Sequence, residues 1–278
     1  MYSYLIPSLL LSTTAFAYPV IPTLGLGLPD FARLAKITSI NHCQVEPTLF
    51  LSDEKHGYLT YIEPSYMDLF LDKVVSSEST EPVSLQSTEF FEDLPKDIRV
   101  DPLAKEIFEE SAEELMNEVR NELANSKHIK KIELVGHGFG GSIALLHALH
   151  IQMSLEDLSI PIEVTMFGSP RVGNQPFVEH VMDQLATFSN RIHLVSSPTD
   201  PVPHLPPRGA LKTGYRDIPF THMWDINHDG KVVYKHSTLS VKNFLNLSSS
   251  TRGEDLSDMR LASHWASVEG VTFERCLE

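Results

Sequence analysis

Positive charge is what this chain lacks most: 22 Lys+Arg stand against 37 Asp+Glu, a net charge of −15. So acidic a surface is repelled by phosphate backbones and anionic membranes, which argues against nucleic acid as a partner. Long apolar runs are missing outside the N-terminus, so no bilayer-spanning segment is expected. Glycine and proline, 14 and 18 of 278 residues, are too few for a fibrous chain. Cysteine is nearly absent, with only Cys43 and Cys276. Histidine is plentiful, at 13 residues, yet no zinc-ligand spacing emerges and no metal site is expected. What is present is ample material for a core: 42% of the residues are hydrophobic, which excludes a disordered chain.

The N-terminus, Met1-Tyr-Ser-Tyr-Leu-Ile-Pro-Ser-Leu-Leu-Leu-Ser-Thr-Thr-Ala-Phe-Ala17, is a short apolar stretch ending in Ala-x-Ala. That pattern predicts a secretory signal over residues 1–17, leaving one mature domain over 18–278 in the extracellular space; a buried N-terminal helix is the alternative. Secretion permits a disulfide, and Cys43 with Cys276 makes the obvious pair; two free buried thiols are the other possibility. Closing so long a loop is worth on the order of 4–5 kcal/mol in the chain-entropy account. Asn246-Leu-Ser248 is a glycosylation sequon that suits the same compartment.

No internal repeat or linker divides the rest. Phe31 to Ile40 has helical periodicity, and Tyr58–Ile62 and Met67–Leu71 look like strands. Ser76–Asp97 is polar, acidic and Pro-bearing, as a long surface loop would be. Asp101-Pro102 opens a helix, a capping carboxylate followed by proline in the first turn, and Leu103, Ile107, Leu115, Val119 and Leu123 mark its buried face. Beyond it, strands at Lys131–Val135, Ile162–Phe167 and Ile192–Ser196 alternate with helices at Ser142–Met153 and Pro176–Ala186. The alternation predicts an α/β fold: a mostly parallel central sheet with helices on both faces.

Between the first of those strands and its helix lies Gly136-His137-Gly138-Phe139-Gly140-Gly141. Gly136, Gly138 and Gly141 satisfy the dinucleotide fingerprint GxGxxG, but the acidic residue that should end the following strand is misplaced. No cofactor is expected on that basis. The same residues satisfy the nucleophile elbow, G-x-S-x-G, in everything but the serine. Here the sequence resembles the fungal (class 3) lipases, whose elbow is GHSxGG. Phe167-Gly-Ser-Pro-Arg-Val-Gly-Asn174 is similar to that family's FGSPRVGN block. Asp200-Pro-Val-Pro-His-Leu-Pro-Pro207 is similar to the block carrying its triad aspartate, and Ala262-Ser-His264-Trp to the one carrying its histidine. The resemblance runs from about Phe31 to Cys276 and implies an α/β-hydrolase fold, in the chain order nucleophile, Asp, His. It also places Cys43 and Cys276 at the family's end-to-end disulfide.

Set on that pattern, the attacking residue is Gly138, which has no side chain, while Asp200 and His264 survive. The backbone N–H of Phe139 would remain as one oxyanion donor. The family's F-R-G-[ST] block, laid on without gaps, falls on Asp72-Lys73-Val74-Val75, leaving Val75 without the hydroxyl that supplies the other. The amphipathic helix expected next is replaced by the polar stretch Glu78–Glu89. Ser142 lies a helical turn past the elbow, and Ser169 belongs to the FGSP block. One more pattern, Asp225-Ile-Asn-His-Asp-Gly230, opens like a Ca²⁺ loop, but its twelfth position is His236 rather than an acid, and a β-hairpin suits it better. The resemblance thus implies a secreted lipase-like protein with impaired or absent ester hydrolysis, binding an acyl or lipid ligand or a partner protein. The alternative is an active esterase working through Ser142 or a water activated by His264.

Overall fold

The computed structural model describes residues 29–41, 49–53, 56–75, 81–155, 159–185, 191–206, 214–218, 222–236, 264, 268–271 and 273. The signal at 1–17, Cys43, Cys276 and Asn246 lie outside the described residues.

The helices are α1 (Phe31–Asn41), α2 (Met67–Val75), α3 (Pro102–Asn125), α4 (Phe139–Ser154) and α5 (Gln175–Leu185). The strands are β1 (Leu49–Asp53), β2 (Tyr58–Glu63), β3 (Val83–Ser84), β4 (Arg99–Val100), β5 (Lys131–His137), β6 (Ile162–Phe167), β7 (Arg191–Ser196), β8 (His222–Ile226) and β9 (Val232–His236). Seven strands form one sheet in the order β1-β2-β5-β6-β7-β8-β9. The five from β2 to β8 run parallel, and β1 and β9 close the edges antiparallel. Crossover helices pack on the sheet as the alternation of elements requires.

Both faces of the sheet are covered, so its central strands are buried along most of their length, polar residues such as Thr60, Glu133, Glu163 and His193 included. Leu59, Tyr61, Ile132, Leu134 and Val164 join α3, α4 and α5 in one core, and Ile62, Val135, Phe167 and Val195 face α1 in a second. Helix α4 is buried along nearly its whole length, from Phe139 to Ile151, so it shows no polar face. Helix α1 is fastened by charge as well as packing. Arg33 pairs with Glu133, which also accepts from Thr60 Oγ1 (2.8 Å) and pairs with Lys131 (2.8 Å). Lys131 reaches on to Glu163 (2.6 Å), which meets His193 Nε2 at 2.7 Å. Burial opposes ionisation of Glu163, but His193 and Lys131 outweigh it and hold the carboxyl near about 2.

Asp101 caps α3 as the sequence predicts, accepting from Leu103 N (2.9 Å) and Ala104 N (3.2 Å). Its second oxygen accepts from the buried Tyr215 hydroxyl at 2.7 Å. Asp101→Ala removes the cap and strands that hydroxyl together, so it should cost about 2–4 kcal/mol in urea denaturation. A loss under about 0.5 kcal/mol would mean that neither contact stabilises the fold.

Three expectations from the sequence need correction. Met67–Leu71 is not a strand but the start of α2, since Met67 and Phe70 are buried at helical spacing while Leu69 is 55% exposed. So short an apolar run satisfies either period, and here the turn at Pro64–Tyr66, with Tyr66 at φ 49°, decided it. Within Ser76–Asp97, the described part from 81 onward is not simply surface loop. Strand β3 and two 3₁₀ turns bury Leu85, Phe91 and Leu94. The third concerns Asp72–Val75, which form the last turn of α2 rather than the end of a strand.

Candidate active site

Strand β5 ends in the turn that starts α4, and Gly138 is its tip, with φ 58° and ψ −129°. Left-handed φ of this kind strains any residue with a Cβ, and it is the backbone of a nucleophile elbow without the nucleophile. The turn is held by Gly138 N donating to Phe167 O (2.8 Å) and by Gly140 N donating to Ser65 O (2.9 Å). The close packing of β2 on this turn leaves no room at Gly140, where a Cβ would come 1.9 Å from Pro64 O.

His264 and Asp200 meet beside the elbow. His264 Nδ1 lies 2.9 Å from Asp200 Oδ2, and both side chains are buried. The aspartate's other oxygen accepts from Val202 N at 2.9 Å, which fixes the carboxylate. His137 supports the histidine from β5, with its Nε2 3.0 Å from His264 O and its ring 4.4 Å from the His264 ring. Gly168, at φ 59°, lets the end of β6 approach the pair. A Cβ there would come 2.8 Å from Asp200 Oδ2 and 2.9 Å from His264 Nδ1. Arg171 from the same block holds the segment after Asp200, through Pro206 O (2.9 Å), His204 O and Asp217 (2.6 Å).

A Cβ built on Gly138 lies 3.0 Å from His264 Nε2. A hydroxyl carried there would be within hydrogen-bond reach of the imidazole, whose other nitrogen is on Asp200. The order and geometry are those of a Ser-His-Asp triad with its first member missing. Phe139 is buried with its N–H at the start of α4, beside the vacated position, where the helix dipole also favours negative charge.

Val75 does not sit at this site: it ends α2, two helical turns beyond Met67. The strand that flanks the elbow is β2, whose Glu63 is in register with Gly136. Ile62-Glu63-Pro64-Ser65 is therefore the segment that β2 brings against the elbow, and its last residue carries a hydroxyl. Ser65 Oγ is buried and has no hydrogen-bond partner among the described residues. The sequence did not single out Ser65, because Glu63-Pro64 bears no likeness to Arg-Gly; the signal was the end of the first parallel strand, with Pro64 unable to continue it. Helix α2 follows this segment directly.

Neither remaining serine replaces the nucleophile. Ser142 is fully buried with its Oγ 3.4 Å from Pro170 O, and Ser169 Oγ packs against Gly141, only 1.8 Å from where a Cβ would lie. The small cavity beside the pair is on the Asp200 side, walled by His137, Phe167, Gly168, Ser197, Val268 and Phe273 among others. Among the described residues no cluster of acidic, Cys or His side chains is arranged to hold a metal ion, and no helix is long and apolar enough to cross a membrane. At the Asp225–Gly230 turn, Asn227 Oδ1 accepts from Asp229 N (3.0 Å) and Lys231 N (2.8 Å), so the segment is the β8–β9 hairpin.

A parallel sheet with a strand–glycine turn–helix elbow and an Asp-His pair delivered later in the chain defines an α/β-hydrolase. Within that class, the family model described as Lipase (class 3) matches residues 51–210, and the chain belongs to that family. Lipase A of Sodiomyces alcalophilus is 37% identical over 84 residues, covering 27% of this chain and 20% of its own length. Secreted mono- and diacylglycerol lipase 2 of Gibberella zeae is 42% identical over 81 residues, covering 27% of this chain and 19% of its own length. The chain thus matches about a fifth of the length of those curated relatives. Among solved structures, the triacylglycerol lipase of Penicillium expansum superposes with a TM-score of 0.60 at 13% identity, over 88% of this chain and 94% of that one. The native Rhizomucor miehei lipase propeptide complex gives 0.57 at 19% identity, over 83% and 66%. At these identities the structural likeness speaks for the fold.

Proposed function

We propose that this chain is a catalytically silent member of the lipase family, a single secreted domain that binds an acyl or lipid ligand, or a partner protein, without hydrolysing it. The observation that carries the proposal is Gly138: the elbow keeps its strained backbone and faces an assembled His264–Asp200 pair, but holds no atom that can attack a carbonyl. Loss of a triad nucleophile costs about 10⁶ in rate. What remains suits recognition of an acyl carbonyl, namely the Phe139 N–H and the Ser65 hydroxyl as oxyanion-side donors. Names of the relatives point to mono- and diacylglycerols as the ligand class, and their secretion suits the Ala-x-Ala leader.

The rival route through an activated water finds less support. The cavity beside the pair lies at the Asp200 side of His264, and Gly138 is not among its walls. The test is to treat purified wild-type protein with a fluorophosphonate and with p-nitrophenyl butyrate. No covalent adduct and no turnover above buffer are expected. Turnover that disappears in His264→Ala would overturn the proposal and assign the chemistry to water or another nucleophile.

A further inference from the structure

Removing a CH₂OH group from a packed site should leave a hole, and close packing rarely tolerates one. Here the place is taken. A Cβ on Gly138 would come 2.4 Å from Met67 Cγ and 2.5 Å from Met67 Sδ, so the methionine occupies the space a nucleophile would need. The same sulfur lies 3.3 Å from Phe139 N and accepts its N–H, the group that would otherwise face a developing oxyanion. Met67 is 2% exposed. One turn along α2, Phe70 stacks on Phe139 with ring centroids 4.9 Å apart, which keeps the helix seated on the elbow.

We propose that Met67 is the residue that closes this site. Its thioether stands in for the lost nucleophile and caps the oxyanion donor, so an acyl carbonyl enters only when the Met67 side chain withdraws. This rests on Gly138 being an emptied nucleophile position. A thioether is a weak acceptor, so an ester carbonyl or a phosphonyl oxygen is the better partner for Phe139 N–H. Methionine is also flexible enough to yield, with three rotatable bonds beyond Cα. The plug is held by packing more than by its hydrogen bond, and a ligand bringing an acyl chain replaces both.

The experiment compares fluorophosphonate labelling of wild type, Met67→Ala, Gly138→Ser and the double variant. Wild type and Met67→Ala should stay unlabelled. The double variant should label about 10²-fold faster than Gly138→Ser, the worth of one returned oxyanion donor. Equal rates in Gly138→Ser and the double variant would overturn the role of Met67. Labelling of wild type would instead overturn the silent-site reading, and Met67 would then be judged by whether Met67→Ala speeds that labelling. Truncating a buried methionine can unfold a protein, so a second readout needs no change at residue 67. With ¹³C-methyl methionine, the Met67 methyl resonance should shift in Gly138→Ser, because the new Cβ must displace the thioether. An unmoved resonance would count against the proposal whatever the double variant does.

Discussion

Gly138→Ser in a Met67→Ala background should hydrolyse p-nitrophenyl butyrate, and adding Asp200→Asn to the same chain should lower that rate by about 10⁴-fold. The expectation follows from what survives around the elbow. His264 is already held by Asp200 at 2.9 Å, and Asp200 is fixed by Val202 N at 2.9 Å. The new side chain would ask His264 to give only slightly, since a Cβ on Gly138 comes 3.0 Å from Nε2. Its backbone position is equally ready, since Gly138 already has the left-handed φ of an elbow. The aspartate's contribution is to orient the imidazole and stabilise its protonated form during attack, which an amide cannot do. A double variant that labels with fluorophosphonate yet shows no dependence on Asp200 would mean that the pair, though assembled, is structural only. The large factor makes this a sharp test: even a few per cent of the restored rate would be visible.

The second large effect concerns stability and pH. Glu63, at the end of β2, points into the core and is fully buried. Burial pushes its carboxyl up to about 8, against a smaller opposing pull from the Tyr61 and Tyr66 hydroxyls. His147 Nε2 is 4.0 Å from Glu63 Oε2 and 3.0 Å from Ser111 Oγ, and burial lowers this histidine to about 3. His150, one turn further on, is lowered to about 4 by burial and by the charge of Arg120. At neutral pH the group is therefore an uncharged acid beside neutral imidazoles, not an ion pair.

The signs follow from where each state binds its protons. The unfolded chain releases the Glu63 proton near 4.5, while the folded chain keeps it to about 8. Stability should therefore fall as pH rises through that window. The histidines act in the opposite sense: the unfolded chain takes up protons below 6.5, and the folded chain resists until about 3 to 4, so stability falls on acidification. The maximum should lie near pH 6.5. From there to pH 8 the wild-type protein should lose about 2 kcal/mol in urea denaturation through Glu63. Glu63→Gln should flatten that limb and leave the acid limb in place. Parallel alkaline slopes in the two proteins would show that Glu63 is charged, and solvated, in the folded state.

Elements with long, consistent patterns were legible: α3 with its Asp101-Pro102 start, the strands β5, β6 and β7, and the β8–β9 hairpin around Asp229-Gly230. In each, propensity, periodicity and boundary residues agree, so tertiary context had nothing to overrule. The elbow was equally plain, because Gly136–Gly141 is a continuous motif whose meaning lies in adjacent residues. Asp200 and His264 were recognisable from short blocks, since each sits in a characteristic local context although the two are 64 residues apart.

The region from Tyr58 to Asp97 behaved differently. Met67–Leu71 is short enough to suit strand or helix, and the F-R-G-[ST] pattern laid on without gaps fell on Asp72–Val75, the last turn of α2, instead of the end of a strand. Nothing within the segment distinguishes the two placements. What decides it is the pairing of β2 with β5, where Glu63 lies opposite Gly136 and delivers Pro64 and Ser65 against the elbow. Leu85, Phe91 and Leu94 are likewise buried by contacts from distant elements, despite a polar setting in the chain.

By itself, then, the sequence determined that this is an α/β-hydrolase of the lipase kind whose elbow carries glycine in place of serine. Those facts reside in residue identities and in the order of blocks along the chain. Only the tertiary structure decided which hydroxyl borders the elbow, that His264 and Asp200 are in contact, and that Met67 fills the space left at Gly138. These are relations between residues far apart in sequence, set by strand register and by packing to a density that leaves no void.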